Sequence, residues 1–239
     1  MARHRRIVEP DLVRHVMARG NGRMRIFLDD RDYRRFLRMV SDVVIFFDVE
    51  CWDYCVMPNH FHLTLCPRKP NISSAMRQLN GDYAMWWNAV HSNVGHVLQG
   101  RFKAQIVQRE GYLLALSRYI ARNPVRAGLV EHPAQWSWSS YRVLAGIGTN
   151  PGFLTEGRIL SEFDPVDVSN ARARYINHVN GVVPEADEIE DRFRSKERVI
   201  GDPEFKKRIE GARSPGKPGS ESASYGLDPS TLAMRTPLG

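Results

Sequence analysis

The chain has 239 residues, with 34 Lys and Arg against 27 Asp and Glu, for a formal net charge of +7. Its 42% hydrophobic and 26% charged residues exclude a largely disordered, fibrous or coiled-coil chain. The apolar run at 43–47 is too short to span a bilayer, three cysteines cannot pair completely, and the Arg-rich N-terminus has no apolar stretch behind it, so a reduced, cytoplasmic protein with no membrane partner is expected.

Residues 12–18, rich in Val and Leu, read as a first strand closed by the turn Arg19-Gly20-Asn21-Gly22. Asp29 or Asp30 caps a helix whose apolar positions Tyr33, Phe36, Leu37, Val40 and Val44 recur at three and four residues, with Arg31, Arg34, Arg35 and Arg38 on its other face. Segments 49–57 and 60–66 form a hairpin about Pro58-Asn59. A polar loop then leads to a helix at 72–90 that carries Met76, Leu79, Tyr83, Trp86 and Trp87. Within 95–107 a fourth strand alternates from Arg101, with Arg101, Lys103 and Gln105 on one face and Phe102, Ala104 and Ile106 on the other. A helix at 112–122 stops at Asn123-Pro124.

The order β-α-β-β-α-β-α contains the split βαβ unit of ferredoxin-like folds, which predicts an α+β protein with one antiparallel sheet and helices packed on it. Trp136, Trp138 and Tyr141 follow, then a less periodic extension with helices at 169–179 and 203–209. The last 29 residues hold five Gly, four Pro and five Ser, a composition expected to stay disordered. This divides the chain into a main domain over 1–145, a helical extension over 146–210 and a tail over 211–239.

His60 and His62 flank Phe61 at the start of a strand, so alternation sends both imidazoles to one face, where they could share a metal ion. A lone His-x-His is also compatible with two structural histidines. Tyr119 and Asn123 are four apart at the end of a helix and share a face, which would put a phenol and an amide oxygen one turn apart. Tyr112 is the rival, but Leu116 stands four residues on and cannot ligate anything. A phenol attacking phosphorus needs a cation to offset charge on the phosphoryl oxygens, and two imidazoles with one amide oxygen would leave that cation open positions. Zinc held by Cys55, His60, His62 and Cys66 is the competing arrangement, but Cys66 lies ~13 Å along the strand from His62, beyond one ion's reach.

The motifs Met57-Pro58-Asn59-His60-Phe61-His62-Leu63, Gly100-Arg101-Phe102-Lys103 and Tyr119-Ile120-Ala121-Arg122-Asn123-Pro124-Val125-Arg126-Ala127-Gly128, in this order, resemble those of the single-tyrosine transposases of the HUH endonuclease superfamily, and among them the REP-associated tyrosine transposases of bacteria. The resemblance covers about residues 12–141. It implies a ferredoxin-like catalytic domain that cleaves and rejoins single-stranded DNA near a palindromic hairpin, with Mg²⁺ or Mn²⁺. Carried over by position, His60 and His62 become metal ligands, Tyr119 the nucleophile of a 5′-phosphotyrosine intermediate, and Asn123 the third ligand, where insertion-sequence relatives commonly place Gln.

Seven Arg against two acidic residues in 1–25 point to a polyanionic partner. Arg14, Arg19, Arg23 and Arg25, with Arg101 and Lys103, could follow the backbone of single-stranded or hairpin DNA. Trp136 and Trp138 would either stack on unpaired bases or pack the C-terminal segment against the sheet. Two other functions compete: a catalytically idle hairpin-binding protein, and a water-using metallohydrolase in which Tyr119 is structural. Monomer and homodimer both stay open, although the short connection at 108–111 favours packing of the tyrosine helix within one chain.

Overall fold

The computed structural model describes residues 7, 9–181 and 186–211. The expected tail falls outside them from residue 212 onward, as do Arg3, Arg5 and Arg6. Four strands make the core sheet: β1 (Arg14–Arg19), β2 (Val49–Met57), β3 (His60–Pro67) and β4 (Lys103–Val107). They pair antiparallel in the order β2-β3-β1-β4, the ferredoxin-like arrangement, and β5 (Val199–Ile200) adds itself parallel to β4 at the edge.

Helices cover both faces of the sheet. Helix α1 (Asp30–Phe46) begins at Asp29, whose carboxylate accepts from the backbone N–H groups of Arg31 and Asp32. Together with α2 (Ile72–Val90) it buries one face, where Phe36 and Tyr83 meet Val16, Phe61, Leu63 and Leu65. Phe61 is fully buried there, its ring centroid 4.6 Å from that of Phe36. This anchoring turns His60 and His62 to the opposite face. Trp138 stacks on Tyr33 at 4.6 Å and Trp136 donates to the Val56 carbonyl, so the indole pair packs the segment after residue 135 against the sheet.

The second face carries α3 (Arg109–Ala121), α4 (Asn123–Arg126), α5 (Tyr141–Leu144), α6 (Gly157–Leu160), α7 (Val168–Asn180) and α8 (Ala186–Arg194), while α9 (Pro203–Gly211) packs beside β5. The regular part of α3 starts after Gly111, which sits at φ 80°, a conformation glycine adopts without strain. The fourth strand starts later than its alternation predicts, at Lys103 rather than Arg101. The chain before it is held instead by Gln99 donating to the Arg19 carbonyl and by glycines 95 and 100 at positive φ.

Asp53 of β2 is buried and accepts from Ser117 of α3 at 2.5 Å and from Ser140 just before α5, tying three elements together. Burial pushes its carboxyl up to about 7, against the opposing pull of the two serine hydroxyls. A carboxyl raised in the folded state favours folding fully below its unfolded value near 4 and loses that contribution as pH rises through about 7. Asp53→Asn, which keeps the shape without the charge, should therefore gain stability relative to the parent as pH goes from 4 to 8. Urea unfolding across that range checks this, and parallel pH profiles would contradict it.

Candidate active site

Strand β1 lies between β3 and β4, and its register sets Met17 across from His62, Arg19 across from His60, and His15 across from both Thr64 and Gln105. His15, His60, His62 and Gln105 therefore share the face that α3 covers. The His60 and His62 rings are 4.9 Å apart and nearly perpendicular, and His15 stacks on His62 at 5.0 Å. Tyr119, in the last turn of α3, brings its ring to 5.6 Å from His62 and 5.7 Å from His15, edge-on in both cases. The predicted phenol and imidazole pair are thus brought together by elements of one chain.

His15 was not singled out by sequence, and it changes how the cluster is read. Its Nδ1 is bonded to Gln105 Oε1 at 3.0 Å and its Nε2 to His62 Nδ1 at 2.8 Å, so both nitrogens are spent. His60 Nδ1 bonds Asn59 Oδ1 at 2.6 Å. Burial, the leading cause, lowers all three imidazoles, His15 and His60 to about 4 and His62 well below its ordinary value, with neighbouring Arg19 adding to the effect on His60 and His62. They are neutral at pH 7, the form in which imidazole binds metals.

Among the described residues no group of three or more His, Cys, Asp or Glu is arranged to hold a metal ion, consistent with a His15 that has no free nitrogen. The narrower donor set fits better: His62 Nε2 is buried with no hydrogen-bond partner among the described residues, and the bond at His60 Nδ1 leaves its Nε2 as that ring's other nitrogen. Asn123 donates its Nδ2 to the Tyr119 carbonyl at 2.9 Å, a bond to the helix and not to an imidazole, which leaves its Oδ1 as the atom available to a ligand. Cys55 Sγ lies against Met57 Sδ at 3.7 Å, and burial pushes both Cys55 and Cys66 up, Cys66 to about 11.

Tyr119 is only 6% exposed. Phe193 of α8 packs on its ring at 5.5 Å, Arg126 of α4 sits 4.6 Å from the ring centroid, and Arg194 lies at 5.9 Å. Burial raises the phenol above its ordinary value, while Arg126 and Arg194 pull it back down. Helix α8 is clamped over this site by buried Glu190, which pairs with Arg118 of α3 at 2.5 Å and with Arg126. Neither α8 nor Arg126 was identified from sequence as part of the site.

Five of the six basic residues proposed to meet DNA are exposed: Arg19, Arg23, Arg25, Arg101 and Lys103. None of the five forms an ion pair among the described residues. Arg14 is the exception and a correction. It is 1% exposed, on the opposite face from His15, and its guanidinium donates to the carbonyls of Leu12 at 2.7 Å and of Glu9 at 2.5 Å. It holds the segment before β1 and has no route to a phosphate. Replacing Arg23 and Arg25 by Ala should lower the slope of log affinity against log salt for single-stranded DNA by about 0.7 per lost contact. Arg14→Ala should leave that slope unchanged and destabilise the fold by about 1–3 kcal/mol, through the carbonyls it leaves unpaired. Salt titrations of DNA binding, with urea unfolding in parallel, separate the two.

A family model, the IS200-like transposases, matches residues 10–123, the span that holds β1 to α3 and ends at Asn123. No curated protein matches the chain significantly. Among solved structures, one of a REP-associated tyrosine transposase bound to a REP hairpin is similar with a TM-score of 0.53 and 19% identity, covering 63% of this chain and 89% of that one. A protein of Deinococcus radiodurans R1 described as a transposase covers 50% of this chain and 95% of its own at 20% identity, with a TM-score of 0.36. Among the described residues no helix is long and apolar enough to cross a membrane. The motif order, the sheet order and the match over residues 10–123 agree: this part of the chain is similar to the IS200-like transposases, and the chain shares its fold with the REP-associated tyrosine transposase.

Proposed function

We propose that the chain cleaves and rejoins single-stranded DNA beside a palindromic hairpin, with Tyr119 as nucleophile. The observation that carries this reading is the Tyr119 ring at 5.6 Å from His62, whose Nε2 is buried and has no hydrogen-bond partner among the described residues. In the first step the Tyr119 oxygen bonds to phosphorus as the P–O3′ bond breaks; the phenol loses its proton and the departing 3′-oxygen takes one up. The product is a 5′-phosphotyrosine, which keeps the phosphoester bond for transfer to another 3′-hydroxyl. His60 and His62 through Nε2, with Asn123 Oδ1, would hold Mg²⁺ or Mn²⁺, which when bound supplies charge compensation for the phosphoryl oxygens. Arg126 and Arg194 beside the ring favour the phenolate as the proton leaves. Arg19, Arg23, Arg25, Arg101 and Lys103 would carry the flanking phosphates.

The similarity of residues 10–123 to the IS200-like transposases, and the similar structure of a protein bound to a REP hairpin, support a DNA partner. All these residues come from one chain, so the reading requires no second copy, and the protein would act in the cytoplasm, where chromosomal DNA lies. The test is incubation with single-stranded hairpin DNA and Mg²⁺ or Mn²⁺, read on a denaturing gel. A protein–DNA adduct of shifted mobility is expected. Cleaved DNA without adduct would replace this reading with water attack, and binding without cleavage under either ion would replace it with an idle hairpin-binding module.

A further inference from the structure

The proton on a neutral imidazole decides which nitrogen can take a cation, and the hydrogen bond at the other nitrogen decides where that proton sits. Gln105 turns Nε2 to two backbone carbonyls, of Arg192 at 3.1 Å and of Glu197 at 3.0 Å, and only the NH₂ end of an amide can face two carbonyls. Its Oε1 is then the atom that meets His15 Nδ1, which must be an N–H and donate. Fully buried His15 has one proton to give, so its Nε2 is a bare lone pair, and His62 Nδ1, 2.8 Å away, must be the donor. His62 is left with a lone pair at Nε2, the buried atom that has no partner among the described residues.

A second amide does the same for the neighbouring ring. Asn59 gives Nδ2 to the Arg23 carbonyl at 3.2 Å, so its Oδ1 accepts from His60 Nδ1 at 2.6 Å and His60 Nε2 is bare. One chain of bonds starts from the turn after β1, the other from α8 and the segment joining it to β5, and both end in the same proton arrangement.

We infer that Asn59, and Gln105 acting through His15, are positioning residues that lock His60 and His62 as Nδ1–H tautomers, so that two Nε2 lone pairs are offered together to one divalent cation. The cation itself rests on the function proposed above; the tautomers do not. The inference also gives the C-terminal extension a part in the site, because the carbonyls that orient Gln105 belong to residues 192 and 197.

The test is long-range ¹H–¹⁵N NMR of ¹⁵N-histidine-labelled protein without metal. His15, His60 and His62 should each carry the proton on Nδ1. A wild-type His62 protonated at Nε2 would overturn the relay whether or not metal binds, and that spectrum needs no variant to fold. Gln105→Met, of similar volume and unable to hydrogen-bond at its end, should let the His15–His62 pair reverse, place a proton on His62 Nε2 and weaken Mn²⁺ binding by about 10–100-fold in calorimetry. Asn59→Asp keeps the acceptor and should keep the His60 tautomer, whereas Asn59→Ala should lose it; equal spectra for the two would overturn the role of Asn59. Wild-type protein with the expected tautomers but no Mn²⁺ affinity would refute the metal reading alone.

Discussion

Tyr119→Phe is expected to bind hairpin DNA with the parent's affinity and salt dependence while forming no covalent adduct, with strand cleavage reduced by at least ~10³-fold. The reason is that the substitution removes one oxygen and little else. The ring keeps its contacts with Phe193, His62 and Arg126, so the fold should lose little stability. Because burial holds the phenol above its ordinary value, attack requires loss of a tightly held proton, so the parent's cleavage rate should climb as pH rises above neutral. Cleavage by Tyr119→Phe at the parent's rate would mean that water is the nucleophile.

The second large effect is expected at the imidazole pair. His60→Ala and His62→Ala should each lose Mn²⁺ binding and reduce adduct formation by at least ~10²–10³-fold, the scale set by removing charge compensation at a reacting oxyanion. They should differ in stability. His60 is half-buried at the start of β3, and its loss should cost little. His62 is fully enclosed, and its removal opens a cavity and strands the His15 Nε2 lone pair, a cost of about 1–3 kcal/mol. His15→Ala isolates the other half: it should leave both ligand rings in place yet weaken Mn²⁺ binding. Parent-like metal affinity in His62→Ala would place the cation elsewhere. Calorimetric Mn²⁺ titration and unfolding curves on the same three proteins decide between these outcomes.

Much of this site was legible in the sequence because its signals are local. His-Phe-His at a turn and Tyr119 with Asn123 one helical turn apart are fixed by strand and helix periods, and the elements bearing them, β3 and α3, lie close to their expected positions. What escaped is what depends on contacts between distant segments. His15 stands in a Val-rich strand with no nearby motif, and only the β1–β3 and β1–β4 registers bring it to His62 and Gln105. Gln105 was placed on the polar face of its strand with Arg101 and Lys103, a correct parity whose meaning changes because that end of the strand is buried under α8. Arg14 was read by charge alone. The alternation that puts His15 toward α3 puts Arg14 on the other side, and this was the available clue. Helix α8 has few apolar residues and is held by the buried charge of Glu190, a signal hydrophobic periodicity does not register.

The central claim is that one phenol becomes linked to phosphorus, and peptide mapping by mass spectrometry tests it most directly. Protein incubated with a labelled single-stranded hairpin and Mn²⁺, denatured and digested with nuclease and protease, should yield a single nucleotide-bearing peptide with the modification on Tyr119. Modification of Tyr112 or any other residue, or cleaved DNA with every tyrosine unmodified, would contradict the account.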